Sequence, residues 1–215
     1  PDAADGDYAD RGFLPEAMRN YLLTLGWGPK DDIEIRPIEE FIEQFELSDI
    51  NAAPAFFDIK KLEHFNSEYI RALSVDSFIE RSRPFRSGIP EELFVLVAPE
   101  IQTRLKRLEE IPTFLDWVVG ERPEPSEKDW KKVMNKDGVA DVLDLVIERF
   151  ETAEWDAATL EQIVFDVGTE LETKTQLPVR LAVTGKRSGL PLFDPLATLD
   201  RQVVLGRLRE ARARL

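Results

Sequence analysis

The sequence predicts a mainly α protein, assembled from three packed helical units. Three observations predict it. Apolar residues recur at helical spacing through most of the chain, Pro and Gly clusters interrupt them at intervals that suit short helices, and no convincing series of parallel strands appears. With 215 residues, 43% of them hydrophobic and 33% charged, the chain can bury one good core or two to three small ones.

The elements follow in order. Pro15 suits a first helical turn, and Ala17, Met18, Tyr21, Leu22 and Leu25 follow at helical spacing until Gly26 and Gly28-Pro29 stop the pattern. Asp31-Asp32-Ile33-Glu34-Ile35-Arg36 alternates briefly and reads as a short extended piece. Pro37 opens an amphipathic helix through Ile38, Phe41, Ile42 and Phe45, and Ser48 and Asp49 read as turn or cap residues. Asp58 reads as the cap of a helix carrying Lys60, Leu62 and Phe65, and Ser74 starts another with Phe78 and Ile79. Arg83-Pro84-Phe85-Arg86-Ser87-Gly88, with Pro90, is a cluster of helix breakers. A long helical pattern then runs from Leu93 through Val97 and Ile101 to Leu105 and Leu108, with Pro99 as a point of kink or division.

Ile111-Pro112 opens a helix with Phe114, Leu115, Trp117 and Val118. Gly120-Glu121-Arg122-Pro123-Glu124-Pro125-Ser126 is the clearest linker in the chain. Beyond it come Trp130, Val133 and Met134, then a pattern from Val139 to Val146, then a helix introduced by Trp155-Asp156 with Leu160, Ile163, Val164 and Val167. A last, basic amphipathic helix carries Val203, Val204, Leu205 and Leu208 and ends in Arg212 and Arg214.

Composition excludes several functions. No apolar run approaches twenty residues, so no membrane span is expected. The absence of cysteine excludes disulfides and Cys-type zinc sites and fits a reducing cytosol, and a cytoplasmic location is expected. The single histidine, His64, argues against a His-based metal site or a Ser-His-Asp triad. A net charge of −14 argues against bulk affinity for nucleic acid. That charge is uneven. Residues 1–60 and 141–170 are acid-rich, whereas residues 171–215 hold nine Lys or Arg against four Asp or Glu, and a second basic cluster comprises Arg81, Arg83 and Arg86 with Arg104, Lys106 and Arg107. Basic residues in final helix turns complement the helix dipole, and charge alone favours that reading over docking on a shaped polyanion.

Three ordered blocks carry a resemblance. The first is Gly12-Phe13-Leu14-Pro15-Glu16-Ala17-Met18-Arg19-Asn20-Tyr21-Leu22, running into Leu25-Gly26-Trp27. The second places Pro54, Ala55, Phe57, Asp58, Lys61, Leu62, Asn66, Tyr69, Ile70 and Arg71 in register. The third is Pro178-Val179-Arg180-Leu181-Ala182-Val183-Thr184-Gly185, leading to Pro191-Leu192-Phe193. Together they resemble the carboxyl-terminal region of bacterial-type glutamyl-tRNA synthetases, along nearly the whole chain. The resemblance implies a helical architecture: residues 1–72 as the end of a stem-contact domain, 73–125 and 126–215 as two all-α anticodon-binding subdomains. The full-length parent would use ATP, Mg and glutamate. This chain is expected to hold no cofactor, to act as a monomer away from membranes, and to bind tRNA(Glu), with tRNA(Gln) as a further candidate.

The catalytic motifs of that class are not here. One histidine cannot supply a His-Ile-Gly-His loop, and no Lys-x-Ser-Lys occurs, so the chain alone is expected to be inactive. Gly185-Lys186-Arg187-Ser188 has the ending of a phosphate-binding loop, but Arg180 stands where the first glycine is required. Beginning at Pro1 with no initiator methionine, the sequence reads as a fragment or a processed chain.

What the resemblance implies for single residues is specific. Arg104 matches the arginine that reads the third anticodon base, a task suited to a guanidinium's several donors. Its bland counterpart is a solvated helical arginine paired with a nearby Glu. Arg180 matches a basic position approaching the anticodon. Gly189, Leu190, Pro191, Leu192 and Phe193 match the loop surrounding the first two anticodon bases, where glycine permits close backbone approach; the counterpart is a turn and helix start with Leu192 and Phe193 in the core. Candidate contacts to the tRNA backbone are Lys60, Lys61, Arg71, Lys106, Arg107, Lys186 and Arg187. Asn66 reads as a brace within its turn. The sequence departs from some relatives in lacking an arginine near Phe165. Trp27 and Trp117 read as core, while Trp130 and Trp155 are open between core packing and base stacking. The competing function is a helical protein-interaction or regulatory module descended from a synthetase, suggested by the acidity and the missing catalytic half.

Overall fold

The computed structural model describes residues 7–29, 31–51 and 54–215. Twelve α-helices and three 3-10 turns appear among the described residues, and no strand does. The chain divides into two compact units. One takes in the residues up to Ser87 together with Ala98–Pro112; the other comprises Gly88–Val97 and Thr113–Leu215.

The first unit holds α1 (Pro15–Gly26), α2 (Ile38–Gln44), α3 (Ile59–Ala72) and α4 (Val75–Arg81), with 3-10 turns at Leu47–Asp49, Arg83–Phe85 and Leu108–Glu110. Its core joins α1 to α3: Phe13, Tyr21, Leu62 and Phe65 are buried, with Met18, Leu25, Ile35 and Phe57 packed against them. The Tyr21 ring meets Phe57 and Phe65 edge-on at 5.1 and 5.9 Å, and its hydroxyl accepts from the Asp58 N–H at 2.6 Å. Asp58 also caps α3, its Oδ1 accepting from Lys60 N–H at 2.9 Å, and Ser74 caps α4 by accepting from Ser77 N–H at 3.2 Å. The stretch 31–36 opens in a turn, with Asp32 at φ +60°, and forms no strand. The buried Asn20 holds it to α1, donating to Glu34 carbonyl at 2.7 Å and accepting from Arg36 N–H at 3.2 Å.

The boundary between the units falls within α5 (Glu91–Gln102), which contains Pro99 and continues three residues beyond it. The apolar pattern expected to carry the helix on to Leu108 therefore outruns it. Leu105 and Leu108 are buried, but from a turn and a 3-10 segment. Gln102, the last residue of the helix, donates to the carbonyls of Ile70 and Leu73, both at 2.8 Å, which satisfies the C-terminal end of α3.

The second unit adds α6 (Pro112–Val119), α7 (Glu127–Val133), α8 (Val139–Thr152), α9 (Ala157–Glu170), α10 (Gln176–Thr184), α11 (Phe193–Ala197) and α12 (Arg201–Ala213). Val142, Leu143, Val146 and Phe150 of α8, Leu160 and Val164 of α9, and Leu205 and Leu208 of α12 belong to one large core. The Gly120–Ser126 stretch lies inside this unit and is tied down. Arg122 donates to the Ala182 carbonyl at 2.6 Å and to Glu210 at 2.9 Å, and Ser126 caps α7 by accepting from Asp129 N–H at 3.1 Å. All four tryptophans are committed to the fold. Trp27, Trp117 and Trp130 are buried, the last under the Arg214 guanidinium at 4.0 Å, and the half-buried Trp155 donates to Leu199 carbonyl at 2.8 Å.

Candidate nucleic-acid interface

In the first unit, Arg104 stands in the turn just beyond α5, not on the helix. Its Nη1 donates to the Glu100 carbonyl and carboxylate, both at 2.6 Å. Its Nε and Nη2 bond to no other described residue, which leaves one edge of an exposed guanidinium free. The turn that presents it is pinned from below by Asn66, which is fully buried. Asn66 Oδ1 accepts from Leu14 N–H at 2.7 Å, and its Nδ2 donates to the carbonyls of Gly12 at 3.1 Å and Lys106 at 2.6 Å. Gly12 has φ +80°, and a Cβ there would stand 2.4 Å from the Leu108 backbone nitrogen. The first and second sequence blocks thus meet at the Arg104–Leu108 turn, which neither block contains.

Most of the remaining cations among the described residues of this unit have acidic partners. Lys106 lies 3.7 Å from Glu63; Arg107 reaches Glu109 at 2.7 Å, Glu110 at 3.4 Å and Glu63 at 3.7 Å. Lys61 pairs with Glu34 at 2.7 Å, Arg71 with Glu68, Arg81 with Glu16 at 3.0 Å and Arg83 with Glu80 at 2.9 Å. Lys60 is exposed on the first turn of α3. His64 is a surface side chain, 62% exposed, 4.0 Å from Glu68. A run of basic residues in sequence is here mostly a set of matched pairs.

In the second unit, Arg180 projects from α10 and donates through Nη1 to the Leu190 carbonyl at 2.9 Å. No ion pair among the described residues involves it, and burial lowers its pKa from the ordinary arginine value. A Cβ on Gly189 would lie 3.8 Å from the same Nη1, so Arg180 underlies the loop tip. Leu190, Leu192 and Phe193 are buried, the last two within the unit's core, while Ser188, Gly189 and Pro191 are exposed. This part of the loop presents backbone and a proline ring more than an apolar wall. Lys186 and Arg187 are taken by Asp116 at 2.5 Å and Asp129 at 3.1 Å. The basic carboxyl-terminal helix is matched too: Arg209 pairs with Glu151 at 2.6 Å and Arg212 with Asp144 at 2.8 Å. The acid-rich α8 therefore offsets much of the positive charge of α12. Phe165 is exposed on α9 beside a cleft of about 420 Å³ lined by Gly168, Lys174 and Gln176.

The structure brings Arg180 together with Gly189 and Leu190, and sets Arg104 beside Lys106 and Arg107; Lys60, Lys61 and Arg71 share α3. Sequence reasoning missed Asp116 and Asp129 as partners of the loop cations, because each lies more than fifty residues from its cation. Among the described residues no group of three or more His, Cys, Asp or Glu is placed to hold a metal ion, and no helix is long and apolar enough to cross a membrane.

Comparison with known proteins gives a consistent result. The family described as "Anticodon binding domain" matches residues 47–212. The glutamate–tRNA ligase of Thermobifida fusca (strain YX) is 44% identical over 224 residues, covering 97% of this chain and 47% of that protein. Those of Salinispora arenicola and Streptomyces avermitilis are 44% and 39% identical, over 97% and 100% of this chain and 48% and 45% of their own lengths. The chain thus spans about half the length of the relatives it matches. Two solved structures share its fold. The Elizabethkingia meningosepticum glutamate tRNA ligase, in complex with its amino acid, superposes with a TM-score of 0.81 at 22% identity, over 99% of this chain and 44% of that one. The Elizabethkingia anophelis glutamate–tRNA synthetase gives 0.79 at 20% identity, with the same coverage.

Proposed function

Because the chain belongs to the anticodon-binding-domain family and matches glutamate–tRNA ligases along nearly all its residues, we propose that it is the tRNA-reading part of such a ligase. The match over residues 47–212 carries the reading. Its target is tRNA(Glu), and tRNA(Gln) is the closest competitor to be rejected or accepted. The full-length protein attaches glutamate to that tRNA with ATP and Mg, in the cytoplasm and as a monomer; this chain selects the tRNA. Residues 1–72 are the end of the stem-contact domain, 73–125 the first and 126–215 the second anticodon-binding subdomain.

Arg104 reads the third anticodon base. Its outward guanidinium edge has the donors for that task, and Glu100 holds the other edge still. Arg180 and the loop from Gly189 to Phe193 receive the first two bases, chiefly through backbone groups. Lys60, Lys61, Arg71, Lys106 and Arg107 supply weaker contacts to the RNA backbone, weaker because all but Lys60 exchange an existing carboxylate for a phosphate.

The test is binding to a tRNA(Glu) anticodon stem-loop and to the same loop with its third anticodon base changed. The unaltered protein prefers the first, and Arg104→Ala abolishes the preference with a loss of about 1–3 kcal/mol on the cognate loop. Equal binding of both loops by the unaltered protein overturns the assignment of Arg104. A second reading, a protein-interaction module, draws on one observation. Exposed apolar side chains concentrate at Ile33, Ile42, Phe45, Leu47, Ile50 and Phe56. A protein partner captured with no tRNA affinity at low salt would favour it.

A further inference from the structure

The loop from Lys186 to Leu192 begins with two cations that a polyanion would attract, and both are engaged within their own unit. Lys186 Nζ stands 2.5 Å from Asp116 Oδ2 and 2.6 Å from the Thr113 carbonyl. Arg187 Nη1 donates to Asp129 Oδ1 at 3.1 Å. The four side chains are each about one-third exposed, 30–34%, so solvent screens these pairs less than fully exposed surface bridges. Asp129 also accepts from the Ser126 hydroxyl at 2.9 Å, and the Arg187 guanidinium holds its carboxyl below the ordinary aspartate range. Asp116 lies on α6 and Asp129 on α7, so the pairs tie the loop to both sides of the Gly120–Ser126 stretch.

Two further ties act at the ends of the loop. Gly185 has φ +73°, and a Cβ there would meet the Pro123 carbonyl oxygen at 1.8 Å; only glycine lets the Gly120–Ser126 stretch lie this close. Arg180 holds the Leu190 carbonyl at 2.9 Å. Turning Lys186 toward a phosphate would leave the Asp116 carboxylate without its cation beside an approaching polyanion, an electrostatically opposed exchange.

We propose that Asp116 and Asp129 are positioning residues: they hold Lys186 and Arg187 back from the RNA and thereby fix the Ser188–Pro191 tip, so that the loop recognises its ligand through backbone shape and not through phosphate charge. The RNA half of this inference rests on the reading of the chain as an anticodon binder; the latch itself does not.

The closing experiment separates the two. Amide hydrogen exchange is followed in the RNA-free protein at Gly185 and Lys186, whose N–H groups at the root of the loop donate to the Leu181 carbonyl and Thr184 Oγ1, both at 3.0 Å. It rises on the order of tenfold in Asp116→Asn combined with Asp129→Asn, and falls back when both positions carry Glu. Unchanged exchange in the double Asn variant, or no recovery with Glu, overturns the latch. With the tRNA(Glu) stem-loop, Lys186→Met weakens binding several-fold and leaves the slope of log Kd against log salt as in the unaltered protein. A slope smaller by about 0.7–0.9 makes Lys186 a phosphate contact and overturns the proposal. Failure of the unaltered protein to bind the stem-loop counts against the anticodon reading alone, because exchange still decides the latch.

Discussion

Asn66 shows how much one buried amide can organise. Its three bonds join the start of α1, the close approach at Gly12 and the turn bearing Lys106. Asn66→Ala leaves the Leu14 N–H and two carbonyls without that partner in a closed environment. A loss of about 3 kcal/mol is expected, read as a lower denaturant midpoint. Asn66→Asp keeps the acceptor for Leu14 N–H but loses both donor bonds and buries a charge, so it recovers little. Since the same turn carries Arg104, to which we propose to assign reading of the third anticodon base, Asn66→Ala is on that proposal also expected to weaken discrimination there, measurable at a temperature where the variant is still folded. The brace was legible as a type of role from sequence; its partners, 40 to 54 residues away, were not.

At the scale of elements, helix starts were legible because caps are local. Asp58, Ser74, Ser126 and Asp156 each accept a bond from an N–H two or three residues on, a pattern that residue type and position announce. Helix ends were less so. The apolar spacing through Leu105 and Leu108 satisfies a helix and a turn with a 3-10 segment equally well, and the structure takes the second course after Gln102. The Gly120–Ser126 stretch is the other element whose contacts the sequence does not show. Pro and Gly content marks 120–126 as a linker, yet Arg122 and the Gly185 contact bind it to α10. Gly185→Ala meets both a left-handed φ and a backbone oxygen at 1.8 Å. It is expected to destabilise the protein by at least ~2 kcal/mol, seen as a lower Tm, and to expose the loop amides to exchange. Gly26→Ala, where an added Cβ meets nothing within 4 Å, is the matched control and leaves Tm nearly unchanged.

At the scale of the whole molecule, the net charge of −14 describes neither basic region well. Most cations of the two regions are paired with carboxylates, and the pairing predicts the response to acid. Hydrogen bonds from Arg36, Arg187 and Thr159 hold the carboxyls of Asp31, Asp129 and Asp156 below their ordinary value. A carboxyl depressed in the folded state contributes stability above its unfolded pKa, about 3.9, and loses it as pH falls through the folded value. Unfolding midpoints are therefore expected to hold from pH 8 to about 5 and to fall below about 4, with Asp129→Asn flattening part of that fall. A midpoint that declined between pH 7 and 5 would contradict this.

The helical class, the order of the elements and the family of the protein all follow from local signals: apolar spacing, caps, breakers and three short blocks of residues. Such signals act over a few positions and survive any arrangement of the parts. Which cations are free to meet a ligand is a different kind of question. Lys186 and Asp116 are 70 residues apart, Arg187 and Asp129 58, and Arg122 and Glu210 88. Charge is read along the chain residue by residue, but it is neutralised in space, and only the folded molecule pairs the acids of α6, α7 and α8 with the bases of the loop and of α12. That pairing engages Lys186 and Arg187 while Gly189 at the loop tip stays exposed, a distinction that composition and motif could not draw.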